Sequence, residues 1–351
     1  MSRYDRHLAS AARVLVRDQF DVRSGEAVLI SADTRTEQDL VDAIAGAVID
    51  VGARPVIATI PQLPFQGRLA DPHVPDTLAA AALSSDVWFD CCFPYFAGSS
   101  MHDAAMKARR ARYALIATAG AASFARLYGR VDFSSLMDFQ VALVDYLDGK
   151  AGARVRFTCP SGTDATFTLD EVKLRRERVA RSPGMHTVPG AQSLYPVVSS
   201  VSGSIVLSAV FDEYYRLLRR PIRIEVDGPI RSLRGAAADD RARLERALLR
   251  ACPRRDEAAS GYGFAIHFTI GFHPAARITG SHFIEDIRAL GTNAIGMGLP
   301  WWEEGGGENH PDGVVTDQSL WVDDEPLVEA GQLVGPPALI PLYRRVRALL
   351  A

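Results

Sequence analysis

Ala27-Val28-Leu29-Ile30 is a short apolar run with no polar alternation, and three more follow it: Pro55-Val56-Ile57-Ala58-Thr59-Ile60, Asp86-Val87-Trp88-Phe89 and Tyr113-Ala114-Leu115-Ile116-Ala117-Thr118. Helix-like stretches over 37–51, 77–83 and 101–110 separate them. Strands of this kind are buried on both faces, and helices between them supply the crossovers that parallel pairing demands. The pattern specifies an α/β fold whose N-terminal domain, residues 1–150, is a parallel sheet covered by helices. Asp33 and Thr34 stand where the first crossover helix would begin, and Gly52 where it would stop. No Gly-x-Gly-x-x-Gly follows the first strand, so no dinucleotide site is read.

Beyond about residue 150 the pattern changes. Arg154-Val155-Arg156-Phe157-Thr158 and Ala165-Thr166-Phe167-Thr168-Leu169 alternate with period two around Pro160-Ser161-Gly162-Thr163-Asp164, which reads as a hairpin. Further strands are expected over 203–211, 222–226 and 230–233, with the turn Asp227-Gly228 between the last two. A helix over 237–252 precedes the strand-like Phe264-Ala265-Ile266-His267-Phe268-Thr269-Ile270-Gly271. Residues 313–334 return as a hairpin with Asp323-Asp324 near its turn, and 339–350 read as a closing helix. Residues 151–351 are therefore expected to form a β-rich α+β domain.

Composition narrows the function classes. A chain of 351 residues suits two domains. The net charge is -3 with arginine interleaved among acids, which argues against a nucleic-acid footprint or a polybasic membrane patch. The first residues, Met1-Ser2-Arg3-Tyr4-Asp5-Arg6-His7, are polar, so no signal peptide is read, and no run reaches the ~18 apolar residues of a membrane span. The four cysteines, Cys91, Cys92, Cys159 and Cys252, form no Cys-x-x-Cys pair, which points to reduced thiols and a cytoplasmic protein.

The chemistry concentrates near the C-terminus. In Glu303-Glu304-Gly305-Gly306-Gly307-Glu308-Asn309-His310-Pro311-Asp312-Gly313, a histidine and a carboxylate lie two residues apart after a glycine run. In extended chain such a pair points both side chains to one face and offers two ligands to one metal. His267 is the candidate third ligand. Two histidines and one carboxylate suit ferrous iron with open positions, and the spacing alone leaves zinc and manganese open as well. Four of the eight histidines, His267, His273, His282 and His310, fall in this region. Taken singly, His267 also reads as a core histidine, His273 before Pro274 as a turn residue, and His282 as an exposed helix start.

The succession His267 to Ala276, Gly291-Thr292-Asn293-Ala294-Ile295-Gly296-Met297-Gly298, Glu304-Gly305-Gly306 and His310-Pro311-Asp312 resembles the metal-binding half of the aminopeptidase T (thermophilic aminopeptidase) family, as does Val188-Pro189-Gly190-Ala191-Gln192 upstream. The resemblance runs in order over about residues 183–335, whereas the N-terminal half matches only in its general α/β pattern. It implies peptidases that bind two metal ions, with a glutamate where this chain has His267 and a histidine where it has Asn293. Glu285 stands near a further acidic position. A two-metal hydrolytic site needs ligands for both ions, and these departures remove them. What remains resembles the divergent branch of the 2,5-dihydroxypyridine 5,6-dioxygenases, in which two histidines and an aspartate at positions matching His267, His310 and Asp312 hold one ferrous ion.

That resemblance implies one Fe(2+) per chain and a ring-cleaving dioxygenase acting on a hydroxylated pyridine or similar aromatic with O2. His186 and His273 are the candidate acid–base residues, since imidazole titrates near neutral pH. Gln192, Tyr195 and Glu304 are the candidate substrate-orienting residues. A metal-dependent aminopeptidase using zinc, cobalt or manganese is the alternative, and a non-catalytic binding protein on the same scaffold a third reading. The resemblance further implies a homodimer.

Overall fold

The computed structural model describes residues 3–117, 120–170, 177–235, 237–252, 261–300, 306 and 309–348. The strands from the N-terminus are β1 (Ala27–Asp33), β2 (Arg54–Ile60), β3 (Val87–Asp90), β4 (Arg112–Leu115), β5 (Arg154–Thr158), β6 (Asp164–Thr168), β7 (Gly184–Thr187) and β8 (Ala191–Leu194). They continue as β9 (Ser202–Phe211), β10 (Tyr215–Asp227), β11 (Ile230–Gly235), β12 (Phe264–Gly271), β13 (Asn293–Gly298), β14 (Asp312–Val315), β15 (Ser319–Val322), β16 (Glu325–Glu329) and β17 (Gln332–Leu333). The α-helices are α1 (Arg3–Arg13), α2 (Gln38–Asp50), α3 (Asp76–Ser84), α4 (Ser100–Lys107), α5 (Ala121–Gly129), α6 (Phe133–Asp148), α7 (Ala238–Ala251), α8 (Phe283–Asp286) and α9 (Leu339–Ala348).

Two compact units result: Met1–Met137 with Glu177–Pro189 and Val346–Ala351, and Asp138–Arg176 with Gly190–Arg345. In the first, five strands pair in parallel in the order β2-β1-β3-β4-β7. β1 and β3 are buried along almost their whole length, as uninterrupted apolar runs require. β2 is the edge strand, and Val56 and Ile57 stay exposed there although its run is equally apolar. β7 joins this sheet although it lies beyond residue 150. Its sequence, Gly184-Met185-His186-Thr187, carries no continuous apolar signal, because an edge strand is not buried on both faces. The first crossover helix also begins later than Asp33 and Thr34 suggest. The Asp33 carboxylate accepts from the backbone N–H groups of Arg35 and Thr36 at 2.7 and 3.1 Å, closing a turn, and α2 starts at Gln38.

The second unit is built on a 12-stranded sheet, ordered β17-β16-β15-β5-β6-β9-β14-β13-β12-β8, with β10 and β11 branching from β9. Every pairing in it is antiparallel. β5 and β6 alternate between buried and outward-facing residues, the half-buried pattern that their period-two sequences specify. On one face Phe268 of β12 stacks on Phe167 at 4.3 Å between ring centroids and meets Phe157 edge-on at 5.2 Å. Successive residues of a strand point to opposite faces, so this aromatic cluster anchors the back of β12 while His267 and Thr269 are presented on the front. Phe268→Ala is expected to destabilise this unit by about 3–5 kcal/mol, read as a lowered denaturant midpoint. Among the described residues, no helix is long and apolar enough to cross a membrane.

Candidate metal centre

β12, β13 and β14 lie side by side, and one row crosses all three: His267 stands opposite Gly296, and Gly296 opposite Asp312. Directly opposed residues share a face. His267 and Asp312 therefore project to the same side, with a residue that has no side chain between them. Strands about 4.8 Å apart put their backbones roughly 10 Å from each other, and both side chains lean inward over the glycine. A Cβ at Gly296 would overlap the His267 imidazole at Nε2 and Cδ2. The glycine is what makes room for the ring.

His310 enters from the segment leading into β14, two residues before Asp312. Its Nε2 lies 3.3 Å from His267 Nε2, and the two rings are nearly perpendicular at 85°. Asp312 spans both: Oδ1 is 3.4 Å from His267 Nε2, and Oδ2 is 3.6 Å from His310 Nε2. All three residues are buried, and one ligand atom from each lies within 4.8 Å of the others. Two neutral imidazoles aiming lone pairs at each other across such a gap repel unless a cation or a shared proton lies between them. With a carboxylate beside them, the set fits a divalent ion of the iron, zinc or manganese kind, and the space above Gly296 is a cradle that any other residue would fill.

Behind His267, Thr269 Oγ1 lies 3.1 Å from Nδ1, and Ser193 Oγ lies 2.8 Å from Thr269 Oγ1. Sequence reading singled out none of Thr269, Ser193 and Gly296. The signal for Thr269 was its period-two spacing from His267, and for Gly296 a glycine inside an otherwise strand-like run.

The other residues expected to act fall in several places. Gln192 stands opposite Ile270, so it shares the face away from His267, and its amide donates to the Ser193 carbonyl at 3.0 Å. Tyr195 is half-buried just past β8, its carbonyl accepting from the Asp170 N–H at 2.8 Å. His273 is fully buried; its Nδ1 accepts from the Ala275 N–H at 3.2 Å, and its ring packs so closely over Gly190 that a Cβ there would come within 2.5 Å of the His273 Cβ. His186 lies on β7 in the first unit, its Nε2 3.0 Å from the Ser182 carbonyl and its ring edge-on to Phe20 at 5.6 Å. Glu304 lies outside the described residues. Glu285 is buried in α8, where it accepts from the Arg277 N–H at 3.2 Å, and does not belong to the cluster.

One comparison drawn from the sequence needs correction. Asn293 stands opposite Ile270 and therefore faces away from the triad, with its amide donating to Gln318 at 3.0 Å. The positions of β13 on the triad's face are Ala294, opposite Thr269, and Gly296. A side chain of β13 could reach the triad's face from position 294 or 296 and not from 293. The one-residue offset arises because strand register, not motif spacing, decides which side chain reaches the site.

A family model described as NicX, 2,5-dihydroxypyridine 5,6-dioxygenase, matches residues 12–335. No curated protein matches the sequence significantly. Among solved structures, the chain is similar to 2,5-dihydroxypyridine dioxygenase from Pseudomonas putida at 17% identity and a TM-score of 0.72, covering 96% of this chain and 99% of that one. It is also similar to wild-type AmpT from Thermus thermophilus at 16% identity and a TM-score of 0.62, covering 95% and 100% of the two chains. At these identities the two likenesses speak to the fold, which is the α/β arrangement of a parallel-sheet part and a large antiparallel sheet.

Proposed function

Because the chain belongs to the 2,5-dihydroxypyridine 5,6-dioxygenase family, we propose that it opens the ring of a hydroxylated pyridine or similar small aromatic with O2, using one ferrous ion held by His267, His310 and Asp312. The observation that carries the ligand assignment is the convergence of these three buried side chains over Gly296. Bound ferrous iron supplies the redox chemistry that joins dioxygen to an electron-rich ring. The residues themselves do the rest. Asp312 gives the site one negative charge, the imidazoles add neutral nitrogen donors, and burial keeps bulk water from competing for open positions.

A phenolic substrate must lose a proton. His273 is poorly suited to take it, since Nδ1 already accepts from Ala275 and a neutral ring then carries its proton on Nε2. His186, the other candidate, lies on β7 with its Nε2 3.0 Å from the Ser182 carbonyl. Steady-state kinetics and metal analysis of His186→Ala and His273→Ala test the two candidates: loss of the roughly 10²–10⁴-fold typical of general base catalysis, at unchanged iron content, marks the residue that takes the proton. The reading also carries a homodimer, checked by light scattering.

The alternative, a metal-dependent aminopeptidase using zinc, cobalt or manganese, needs ligands for two ions. On β13 the site-facing Ala294 and Gly296 offer none. The deciding experiment is to purify the protein anaerobically, add Fe(II), and follow O2 uptake with 2,5-dihydroxypyridine and related phenols beside amine release from aminoacyl amides. Uptake that requires both the aromatic and iron is expected. Peptide turnover with no uptake on any aromatic would reverse the assignment.

A further inference from the structure

Hydroxyl groups stand behind His267 at Nδ1, and partners in that position orient a metal-binding imidazole. Thr269 is two residues along β12 and so projects to the same face; Ser193 stands directly opposite it on β8. The chain of contacts runs Ser193 Oγ, 2.8 Å, Thr269 Oγ1, 3.1 Å, His267 Nδ1. Thr269 is buried, and its branched Cβ restricts χ1, so Oγ1 is fixed in place. Resting on the single-metal reading above, we propose that Thr269, supported by Ser193, is the positioning residue that sets the orientation of the His267 ring for metal binding.

The proton bookkeeping shows why the hydroxyls matter. A neutral imidazole carries one N–H. If Nδ1 holds it, His267 donates to Thr269 Oγ1, the Thr269 hydroxyl is free to donate to Ser193, and the Nε2 lone pair faces His310 and Asp312. If Nε2 holds it, the hydroxyls reverse: Thr269 donates to Nδ1, and an N–H points at Asp312, 3.4 Å away. Only the first arrangement can bind a cation. A hydroxyl accommodates both because it donates and accepts; a carboxylate would enforce the first but would add a second negative charge to the site. Among the described residues Asp312 is the one carboxylate of the cluster, and a hydroxyl behind His267 adds no charge to it.

The test uses Co(II) in place of iron and reads binding rather than turnover. Affinity is measured by competition with a chromophoric chelator and ligand geometry by the Co(II) d–d absorption, with circular dichroism melts as the check on folding. Failure of the wild-type chain to bind Co(II) would sink the single-metal reading itself. Given binding, Thr269→Val, which keeps shape and removes the hydroxyl, is expected to weaken affinity about 10–100-fold and to change the d–d bands, whereas Thr269→Ser should stay near wild type in both. A Thr269→Val protein with wild-type affinity and bands, or a Thr269→Ser protein as weakened as Thr269→Val, overturns the inference. Should Thr269→Val fail to fold, Ser193→Ala on the edge strand replaces it: a several-fold weaker affinity supports the relay, and an unchanged one removes it.

Discussion

Gly296→Ala is expected to abolish tight metal binding while leaving the chain folded. The reason is local and steric. Gly296 lies between His267 and Asp312 in one row of the sheet, and a Cβ there would overlap the His267 ring at Nε2 and Cδ2, the edge that faces His310 and Asp312. The ring must swing away, and Thr269 Oγ1 then loses its hold on Nδ1 as well. Affinity should fall by more than the roughly 10–100-fold that losing one hydrogen-bond partner of a ligand costs, because the ligand itself is displaced. Crowding of this kind costs about 1–3 kcal/mol of stability. Gly313→Ala is the matched control. Gly313 adjoins Asp312 but points to the opposite face, where an added Cβ would overlap Leu207. It should show a comparable stability loss in denaturation while keeping Co(II) affinity near wild type. Equal loss of affinity in both variants would mean that general disturbance of β14, and not displacement of His267, empties the site.

This pair also marks how far the sequence could be read. The parallel sheet was legible because continuous apolar runs have one good explanation, and β1 and β3 are as buried as that explanation requires. β7 was not, since an edge strand of Gly184-Met185-His186-Thr187 carries no such run. At the site, His267, His310 and Asp312 were legible because imidazole and carboxylate are chemically distinctive. Gly296 was not, for its contribution is an absence, visible only once the register sets it between His267 and Asp312. Register also separates Asn293 from Ala294, and Gln192 from Ser193, and in each pair the residue on the site's face is the one with less obvious chemistry. A strand places neighbours on opposite faces, so a motif that names the right segment can still name the wrong residue by one.

His267→Glu separates the two chemistries that this scaffold could host. The change brings a second carboxylate into a buried site that already holds Asp312, whose Oδ1 lies 3.4 Å from the nitrogen being replaced. Two like charges so close repel strongly without a cation, and an oxygen-rich set favours harder ions such as Mn(II) over Fe(II). It also leaves the Thr269 hydroxyl with no imidazole Nδ1 to hold. Iron-dependent O2 uptake should fall by at least about 100-fold, measured with an oxygen electrode at saturating iron, while Mn(II) or Zn(II) binding persists in competition titrations. Peptidase activity is not expected to appear. A second ion would need its own ligands to clamp attacking and leaving atoms, and the positions of β13 on the triad's face, Ala294 and Gly296, supply none. Retained O2 uptake in His267→Glu would remove His267 from the iron site. Gain of aminoacyl amide cleavage would show that ligands beyond Ala294 and Gly296 complete a two-metal centre, and that residue 267 alone selects between hydrolysis and oxygen chemistry.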